Sequence, residues 1–290
     1  LYIYISSDSV YEVCDIPQGS SEAIREEQAV RPQDPAVAAD LAKKDSYGHK
    51  KLQVEEFLTE RRNSPGGIPF VFLRLPDVLG AKDSTERFWQ YVLWLQHSKK
   101  LGKPITIPPQ TTFRNLKTSY VWASDVAAVI NEVLNAPRDK IEDKIYNVAS
   151  ISDVGLENLL NDIATIGLNM SDSEFLRRIK FKDGGYFFPS VTKGSLNTER
   201  LEKDLNFKPS DWSNMVREVT RFYVTAPETF PNEFREAAVG LLNDLDLYDD
   251  DNLEKVEKLL NIMSSGLAYD KDDELILWLN RQNATSSFKS

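Results

Sequence analysis

The stretch Tyr47-Gly-His-Lys-Lys51 guides the interpretation of the whole chain. In a helix, a tyrosine and a lysine four residues apart lie on the same face, one turn from each other. An ammonium group favours the phenolate, so Lys51 is expected to lower the pKa of Tyr47 from its reference value of about 10. Ser7, which follows the apolar run Leu1–Ile5, could hold a substrate oxygen beside the phenol. The pattern predicts a site that exchanges protons with a substrate hydroxyl, although a solvated helix face gives the same short motif.

Hydrophobic spacing and turn residues predict alternating strands and helices. The predicted helices are Tyr47–Arg62, Ser84–Lys100, Ser124–Asn135 and Ser152–Ile166, and the predicted strands are Leu1–Ile5, Ile68–Leu75, Pro104–Pro108, Tyr120–Trp122 and Lys144–Val148. The aromatic residues within Ser84–Lys100 are expected to pack in a core, because this is their usual role at helical spacing.

Six motifs follow one another along most of the chain up to about Ala226. They are Ser6–Tyr11, Tyr47–Leu52, Leu73–Gly80, Tyr120–Ala127, Tyr146–Ala149 and Thr198–Pro209. In this order they resemble the extended short-chain dehydrogenase/reductases, the NAD-dependent epimerase/dehydratase family. The resemblance implies an α/β fold in which residues 1–227 form a doubly wound, Rossmann-like parallel sheet with a smaller, mixed substrate-binding part. Residues 228–290 would form an acidic helical extension.

The resemblance also implies a role for each matching residue at the site. Tyr47 would be the acid/base at a sugar hydroxyl while hydride passes to or from a nicotinamide, so the implied cofactor is NAD or NADP. Lys51 would tune Tyr47 and bind the nicotinamide ribose, and Ser7 would hydrogen-bond the reacting oxygen. Tyr47 and Ser6 would also contact the cofactor, and Asp8 would be a further catalytic group. No metal is expected to take part.

The substrate side matches the family less closely. Dehydratases of the family place two acidic residues after the hydroxyl residue, whereas here Asp8 is followed by Ser9. This difference favours epimerase or simple dehydrogenase chemistry. Asp77 stands where many members have an asparagine, and its charge would repel a diphosphate. Arg114 and Lys117 could form an anion patch, so a nucleotide-sugar is one candidate substrate.

The glycine-rich turn that binds the cofactor pyrophosphate neither precedes nor follows the strand Leu1–Ile5. The pair Gly66-Gly67 leads into a strand instead of a helix. The resemblance therefore leads us to expect that the first half of the Rossmann unit is missing from this sequence or is supplied by another polypeptide. The chain alone is then expected to be poorly soluble or to form a homodimer, because an uncovered strand edge promotes association.

The amino-acid composition limits the classes of protein to which the chain can belong. The chain has 290 residues, of which 41% are hydrophobic and 28% charged, as in an ordinary soluble globular protein. Neither a membrane-spanning run nor a signal peptide is evident, so a cytoplasmic location is expected. Cys14 is the only cysteine, which excludes an internal disulfide. The net charge of −10 argues against nucleic acid as a partner but leaves a phosphorylated small molecule open.

The sequence after Pro227 changes in character. Helical spacing is found over Phe234–Leu245, Leu253–Met263 and Asp272–Trp278, with an acidic cluster at Asp249–Asp251. This cluster lacks the central glycine and final glutamate of a calcium-binding loop. An acidic surface suggests a second interpretation of the chain, a non-catalytic scaffold or interaction subunit whose C-terminal helices bind a protein partner.

Overall fold

A computed structural model of the chain describes residues 1–17, 22–107, 117–182 and 191–264. The strands are β1 Tyr2–Ser7, β2 Phe70–Leu75, β3 Asp77–Leu79, β4 Ile105–Ile107, β5 Thr118–Trp122, β6 Lys144–Asn147, β7 Ile151–Val154 and β8 Ile179–Phe181. The helices are α1 Pro35–Lys44, α2 Ser46–Arg62, α3 Arg87–Leu101, α4 Ala123–Asn135, α5 Arg138–Ile141, α6 Leu156–Asp162, α7 Asp172–Arg178, α8 Glu199–Leu205, α9 Trp212–Thr229, α10 Pro231–Asp244 and α11 Leu253–Ser264. Short 3₁₀ helices cover Asp8–Val13 and Glu26–Gln28.

The chain divides into two compact units that alternate along the sequence. The first unit comprises Leu1–Gly80, Gln110–Leu156 and Pro189–Met215, and the second comprises Ala81–Pro109, Glu157–Phe188 and Val216–Ser290. The predicted boundary at residue 227 falls inside α9. The division into 1–227 and 228–290 remains a prediction.

A three-stranded parallel sheet in the order β1-β2-β6 forms the centre of the first unit. All six residues of β2 are buried, as expected for a parallel strand covered on both faces. In this register Ser7 pairs with Leu75, and Arg74 pairs with Asn147. The carboxyl ends of the three strands therefore meet at one edge, where ligands bind in sheets of this kind. The predicted parallel α/β fold is confirmed.

A second, mixed sheet in the same unit has the order β3-β5-β7. β5 pairs in parallel with β3 and antiparallel with β7. The prediction of one helix over Ser152–Ile166 was wrong at its beginning, because Ile151–Val154 adds to this sheet and the helix starts at Leu156. Backbone pairing with Thr118–Tyr120 outweighed the helical spacing of the side chains.

The second unit is mainly helical and is built around α3. Phe88 and Trp89 of this helix are each at most 4% exposed, so the prediction that they form core is confirmed. Tyr91 and Trp94 are buried as well. The ring of Trp89 lies 5.0 Å from that of Tyr223, a separation typical of packed aromatic pairs. Helices α10 and α11 pack against α3 and confirm the predicted helical C-terminal part. The predicted helix Asp272–Trp278 lies outside the described residues.

His97 on α3 is expected to make the stability of the second unit depend on pH. It is 3% exposed, and burial lowers its pKa to about 4, with Lys100 and Arg178 lowering it further and the Met263 carbonyl opposing them. Between pH 4 and the unfolded value of 6.5, the unfolded chain binds a proton at this histidine that the folded chain does not. The contribution of His97 to stability is therefore complete above pH 6.5 and is lost as the pH falls toward 4, by up to about 3 kcal/mol.

We expect the His97→Gln variant to lose this part of the pH dependence. Urea unfolding at pH 4.5 and pH 7.5 should show a smaller stability difference in the variant than in the wild-type protein. His49→Gln is the matched control, because it replaces the other histidine, which is half-buried on α2. Equal pH dependence in the wild-type and His97→Gln proteins would contradict the assignment.

No described helix is both long enough and apolar enough to cross a membrane. Within the same residues, histidine, cysteine and carboxylate side chains form no group of three that could hold a metal ion.

Candidate active site

The first part of the site is the end of β1. Ser7 has an extended backbone, and its hydroxyl accepts a hydrogen bond of 3.2 Å from the backbone N–H of Ser9. It thereby caps the 3₁₀ helix Asp8–Val13, as serine commonly does at a helix N-terminus. This contact fixes the hydroxyl at the carboxyl edge of the parallel sheet.

The second part is the first turn of α2. The side chain of Asp45 caps the helix by accepting a 2.8 Å hydrogen bond from the backbone N–H of Gly48. Gly48 is buried against the 3₁₀ helix, and a Cβ atom there would lie 2.1 Å from the carbonyl oxygen of Ser9. Only a residue without a side chain permits this approach. It brings Tyr47, the residue before the glycine, to Ser7.

The phenol of Tyr47 lies near the Ser7 hydroxyl, and 55% of Tyr47 stays exposed. The expected lowering of the Tyr47 pKa is not found. Burial of the phenol raises its pKa above 10.0, the nearby Ser7 hydroxyl opposes the rise, and the carboxylates of Asp8 and Asp45 add to it. The sequence pattern indicated the neighbouring cation but not these two carboxylates. In this state Tyr47 is a protonated phenol at neutral pH.

Lys51 lies one turn after Tyr47, as predicted, and its ammonium group is 5.5 Å from the centre of the Tyr47 ring. It also lies 5.2 Å from the ring of Tyr4 and donates a 2.9 Å hydrogen bond to the carbonyl oxygen of Ile5. Desolvation lowers the pKa of Lys51, and Glu55 opposes this change. An ammonium group has three donors, so two remain for a ligand beside Tyr47.

Asp8 is the acidic residue next to Ser7, and the carboxylate of Asp77 acts on it electrostatically. Asp8 is 6% exposed, and burial raises its pKa well above the ordinary value, with Asp77 and Glu12 raising it further. The Ser7 hydroxyl, 3.3 Å from Oδ1 of Asp8, and the Ser9 backbone partly oppose the shift. Asp8 is therefore biased toward its neutral form, so the site carries less negative charge than its sequence suggests.

The remaining predicted residues lie elsewhere or outside the described part. Lys117 pairs with Asp153 at 3.2 Å, an ion pair between two half-exposed side chains rather than a contact with Tyr47. Arg114 lies outside the described residues. Ser6 is 3% exposed, and its hydroxyl donates a 2.5 Å hydrogen bond to Glu55. The geometry gives Ser6 a structural partner, and its cofactor contact remains a prediction.

The sequence model of the NAD dependent epimerase/dehydratase family matches residues 1–149, about half of the chain. The chain belongs to this family. A search of curated protein sequences found no match.

Solved structures show the same fold as this family member. A dTDP-glucose 4,6-dehydratase from Bacillus anthracis in complex with NAD has 16% sequence identity and a TM-score of 0.56, covering 78% of this chain and 62% of its own. A UDP-glucuronic acid 4-epimerase from Bacillus cereus in complex with NAD has 18% identity and a TM-score of 0.53, covering 77% and 60%. An RMD protein from Pseudomonas aeruginosa complexed with NADPH has 16% identity and a TM-score of 0.54, covering 76% and 65%. The family member thus spans about three fifths of the length of these proteins.

The residues at the sheet edge fit one end of a nicotinamide dinucleotide. The exposed phenol of Tyr47 and the two remaining donors of Lys51 suit the hydroxyls of a ribose. The pair Gly66-Gly67 does not suit the pyrophosphate, because it precedes β2 and so lies at the opposite edge of the sheet. The fit therefore concerns the nicotinamide riboside end.

A buried ion pair that the sequence analysis missed fixes α2 against β2. Arg74 donates to both carboxylate oxygens of Glu55, at 3.1 and 2.6 Å, and also to the Tyr11 hydroxyl and the Glu26 carbonyl oxygen. Glu55 lies one turn after Lys51 on α2. The ion pair therefore holds the helix that carries Tyr47 and Lys51 in one orientation. An arginine within the apolar run of β2 is the sequence signal that could have revealed it.

Gly48→Ala tests the close approach of α2 to the 3₁₀ helix. Alanine normally stabilises a helix relative to glycine by about 0.5–1 kcal/mol. Here the added methyl group would overlap the Ser9 carbonyl, so we expect a destabilisation of about 1–3 kcal/mol and a separation of Tyr47 from Ser7. Urea unfolding measures the loss, and Ser46→Ala, at the exposed neighbouring position in the same turn, is the control. A Gly48→Ala variant as stable as the wild type would refute the close packing.

Proposed function

We propose that this protein is a nicotinamide-dependent enzyme that interconverts a hydroxyl and a keto group on a sugar carbon. The observation that carries the proposal is the position of Tyr47 beside Ser7 at the carboxyl edge of a parallel sheet, with Lys51 one turn away. The family supports a sugar-modifying reaction that depends on NAD in general terms. The assignment of catalytic roles to these three residues is our proposal.

In the proposed reaction, Oη of Tyr47 takes the proton of the substrate hydroxyl during oxidation and returns it during reduction. When bound, NAD or NADP would supply the hydride acceptor for oxidation at that carbon, and its reduced form would supply the hydride donor for reduction. Ser7 would orient the substrate oxygen toward Tyr47, and Lys51 would hold the ribose of the cofactor. Asp8, with its raised pKa, would act beside Ser7 as a positioning residue.

Because the pKa of Tyr47 is raised, the oxidation and the reduction of the substrate should depend on pH in different ways. Oxidation needs the phenolate, so its rate should rise as the pH increases above neutral. Reduction needs the phenol, so its rate should stay level over the same range. Rates measured in both directions from pH 6.5 to pH 9.5 would test this, and an oxidation rate that falls with pH would count against Tyr47 as the base.

A nucleotide-sugar is the proposed substrate class. The two Bacillus proteins named above are, by their names, enzymes of nucleotide-linked sugars. Because one carboxylate, Asp8, follows Ser7 and the next residue is Ser9, epimerisation or simple oxidation is favoured over dehydration. Four points remain predictions. They are the place of Asp77 on the substrate side, a homodimer, a cytoplasmic location and a protein partner for the acidic C-terminal helices.

Product analysis tests the proposed function. The protein is incubated with NAD or NADP and a panel of UDP-, dTDP- and GDP-hexoses, and the products are separated by chromatography and identified by mass spectrometry. We expect at least one hexose to be converted to its epimer or keto form. If NAD or NADP binds and no sugar changes, the proposed enzymatic activity is refuted and the scaffold interpretation is favoured.

A further inference from the structure

Two segments rich in lysine and arginine come together in the second unit. Ser98–Lys103 contains three lysines, and Arg177–Lys182 contains two arginines and two lysines. The first ends just before β4, and the second runs from the end of α7 through β8. Because β4 and β8 pair in parallel, with Ile105 opposite Ile179, the residues that precede the two strands lie at the same edge, about 5 Å apart in the direction of the hydrogen bonds.

A surface cavity of ≈ 440 Å³ lies at this edge. It is lined by Ser98, Lys99, Gly102, Pro104, Glu174, Arg177, Arg178 and Lys180. A volume of this size matches the lower range of small-molecule sites in proteins. All lining residues belong to the second unit, whereas Ser7, Tyr47 and Lys51 belong to the first.

The cavity has the opposite charge to the rest of the chain. Its lining contains four cationic side chains and one carboxylate, which gives a net charge of +3 in a protein whose total charge is −10. A cleft lined by one sign of charge concentrates ions of the other sign. The cavity is therefore a site of attraction for anions on a protein that otherwise repels them.

Arg178 and Glu174 form the fixed wall of the cavity. Nη1 of Arg178 donates to the carbonyl oxygens of Leu95 at 2.6 Å and Gln96 at 3.3 Å, and Nη2 pairs with Glu174. The ion pair neutralises the charge of Glu174, and the hydrogen bonds hold α7 against α3. Among the described residues, the three other cations, Lys99, Arg177 and Lys180, form no ion pair, and all three are exposed.

We infer that this cavity binds a small molecule that carries a diphosphate or polyphosphate group. Lys99, Arg177 and Lys180 supply three charges around one concave surface, which suits an anion with several charges better than a single carboxylate. The guanidinium of Arg177 offers paired donors that match two phosphate oxygens. A nucleic acid would need a wider basic surface, since each phosphate along the strand repels the acidic remainder of the chain.

Calorimetric titration with inorganic pyrophosphate at low ionic strength tests this site. We expect the variant Lys99→Gln/Arg177→Gln/Lys180→Gln to bind at least about tenfold more weakly than the wild type, a change that corresponds to about 1.4 kcal/mol. The matched control is Lys140→Gln/Lys203→Gln/Lys208→Gln, which removes the same charge at three exposed positions of the first unit. The control should bind like the wild type.

The place of binding is measured by acetylation and mass spectrometry. Pyrophosphate should protect Lys99 and Lys180 from acetylation in the wild-type protein. Protection of Lys51 instead would assign the anion to the proposed catalytic site and overturn the inference, without bearing on the reaction itself. A failure of the wild type to bind pyrophosphate, or equal weakening in both triple variants, would also overturn it. So would displacement of pyrophosphate by a glutamate-rich peptide of equal charge at equal concentration, because the cavity would then select charge and not phosphate.

Discussion

Replacing Tyr47 with phenylalanine is expected to lower kcat by about 10²–10⁴-fold, the usual contribution of a general acid/base. The substitution removes the hydroxyl that lies near Ser7 and leaves the ring in place beside Lys51. Cofactor affinity should fall far less than kcat, because the Lys51 ammonium group keeps its bond to the Ile5 carbonyl and its two remaining donors for the ribose. Steady-state rates with a converted nucleotide-sugar, together with a cofactor titration, measure the two effects separately.

Tyr2→Phe is the matched control for this experiment. Tyr2 lies at the beginning of β1, the strand that ends at Ser7, and is 47% exposed. The control therefore removes a phenol hydroxyl whose side chain is about as exposed as that of Tyr47. It should have wild-type activity. If Tyr47→Phe also retained wild-type activity, the proposed catalytic role would be wrong.

The second large effect is expected at the buried ion pair. Arg74→Met should destabilise the protein by about 3–5 kcal/mol, the usual cost of leaving one partner of a buried pair uncompensated. Arg74 and Glu55 have side chains that are 2% and 4% exposed, so water cannot replace the lost contact. The substitution also removes the hydrogen bonds that Arg74 donates to the Tyr11 hydroxyl and the Glu26 carbonyl oxygen. Urea unfolding at pH 7 gives the change directly.

Two further variants separate this effect from a general loss of packing. Arg74→Met/Glu55→Gln should recover part of the stability, because the uncompensated carboxylate is gone. Arg235→Met breaks the exposed pair between Arg235 and Glu257, in which both side chains are about half exposed, and should change stability little. A loss at Arg74 no larger than the loss at Arg235 would show that the buried pair does not hold α2.

The local parts of the site could be predicted from the sequence. Tyr47 and Lys51 lie four residues apart in one helix, so their common face follows from helix geometry alone. Ser7 lies at the end of the apolar strand β1, and α2 packs against this strand and the 3₁₀ helix that follows it. The helices α10 and α11 could also be predicted, because their apolar spacing is local.

Contacts between distant residues could not be predicted in the same way. Glu55 lies among polar residues on α2, and its spacing suggests a solvent-exposed side chain, yet its partner Arg74 is 19 residues away and Tyr11 lies 63 residues from that arginine. The raised pKa of Tyr47 has a similar origin, since it depends on burial and on Asp8, which is far away in the sequence. The strand Ile151–Val154 also depends on pairing with β5 instead of on its own spacing.

Single-turnover hydride transfer tests the central claim most directly. The protein is loaded with NAD or NADP and mixed with an excess of a converted nucleotide-sugar, and absorbance at the wavelength of the reduced nicotinamide is followed by stopped flow. The proposed roles of Ser7, Tyr47 and Lys51 predict a transient rise in the wild-type protein and its loss in Tyr47→Phe at unchanged cofactor occupancy. A rise of equal rate and amplitude in both proteins would contradict this account.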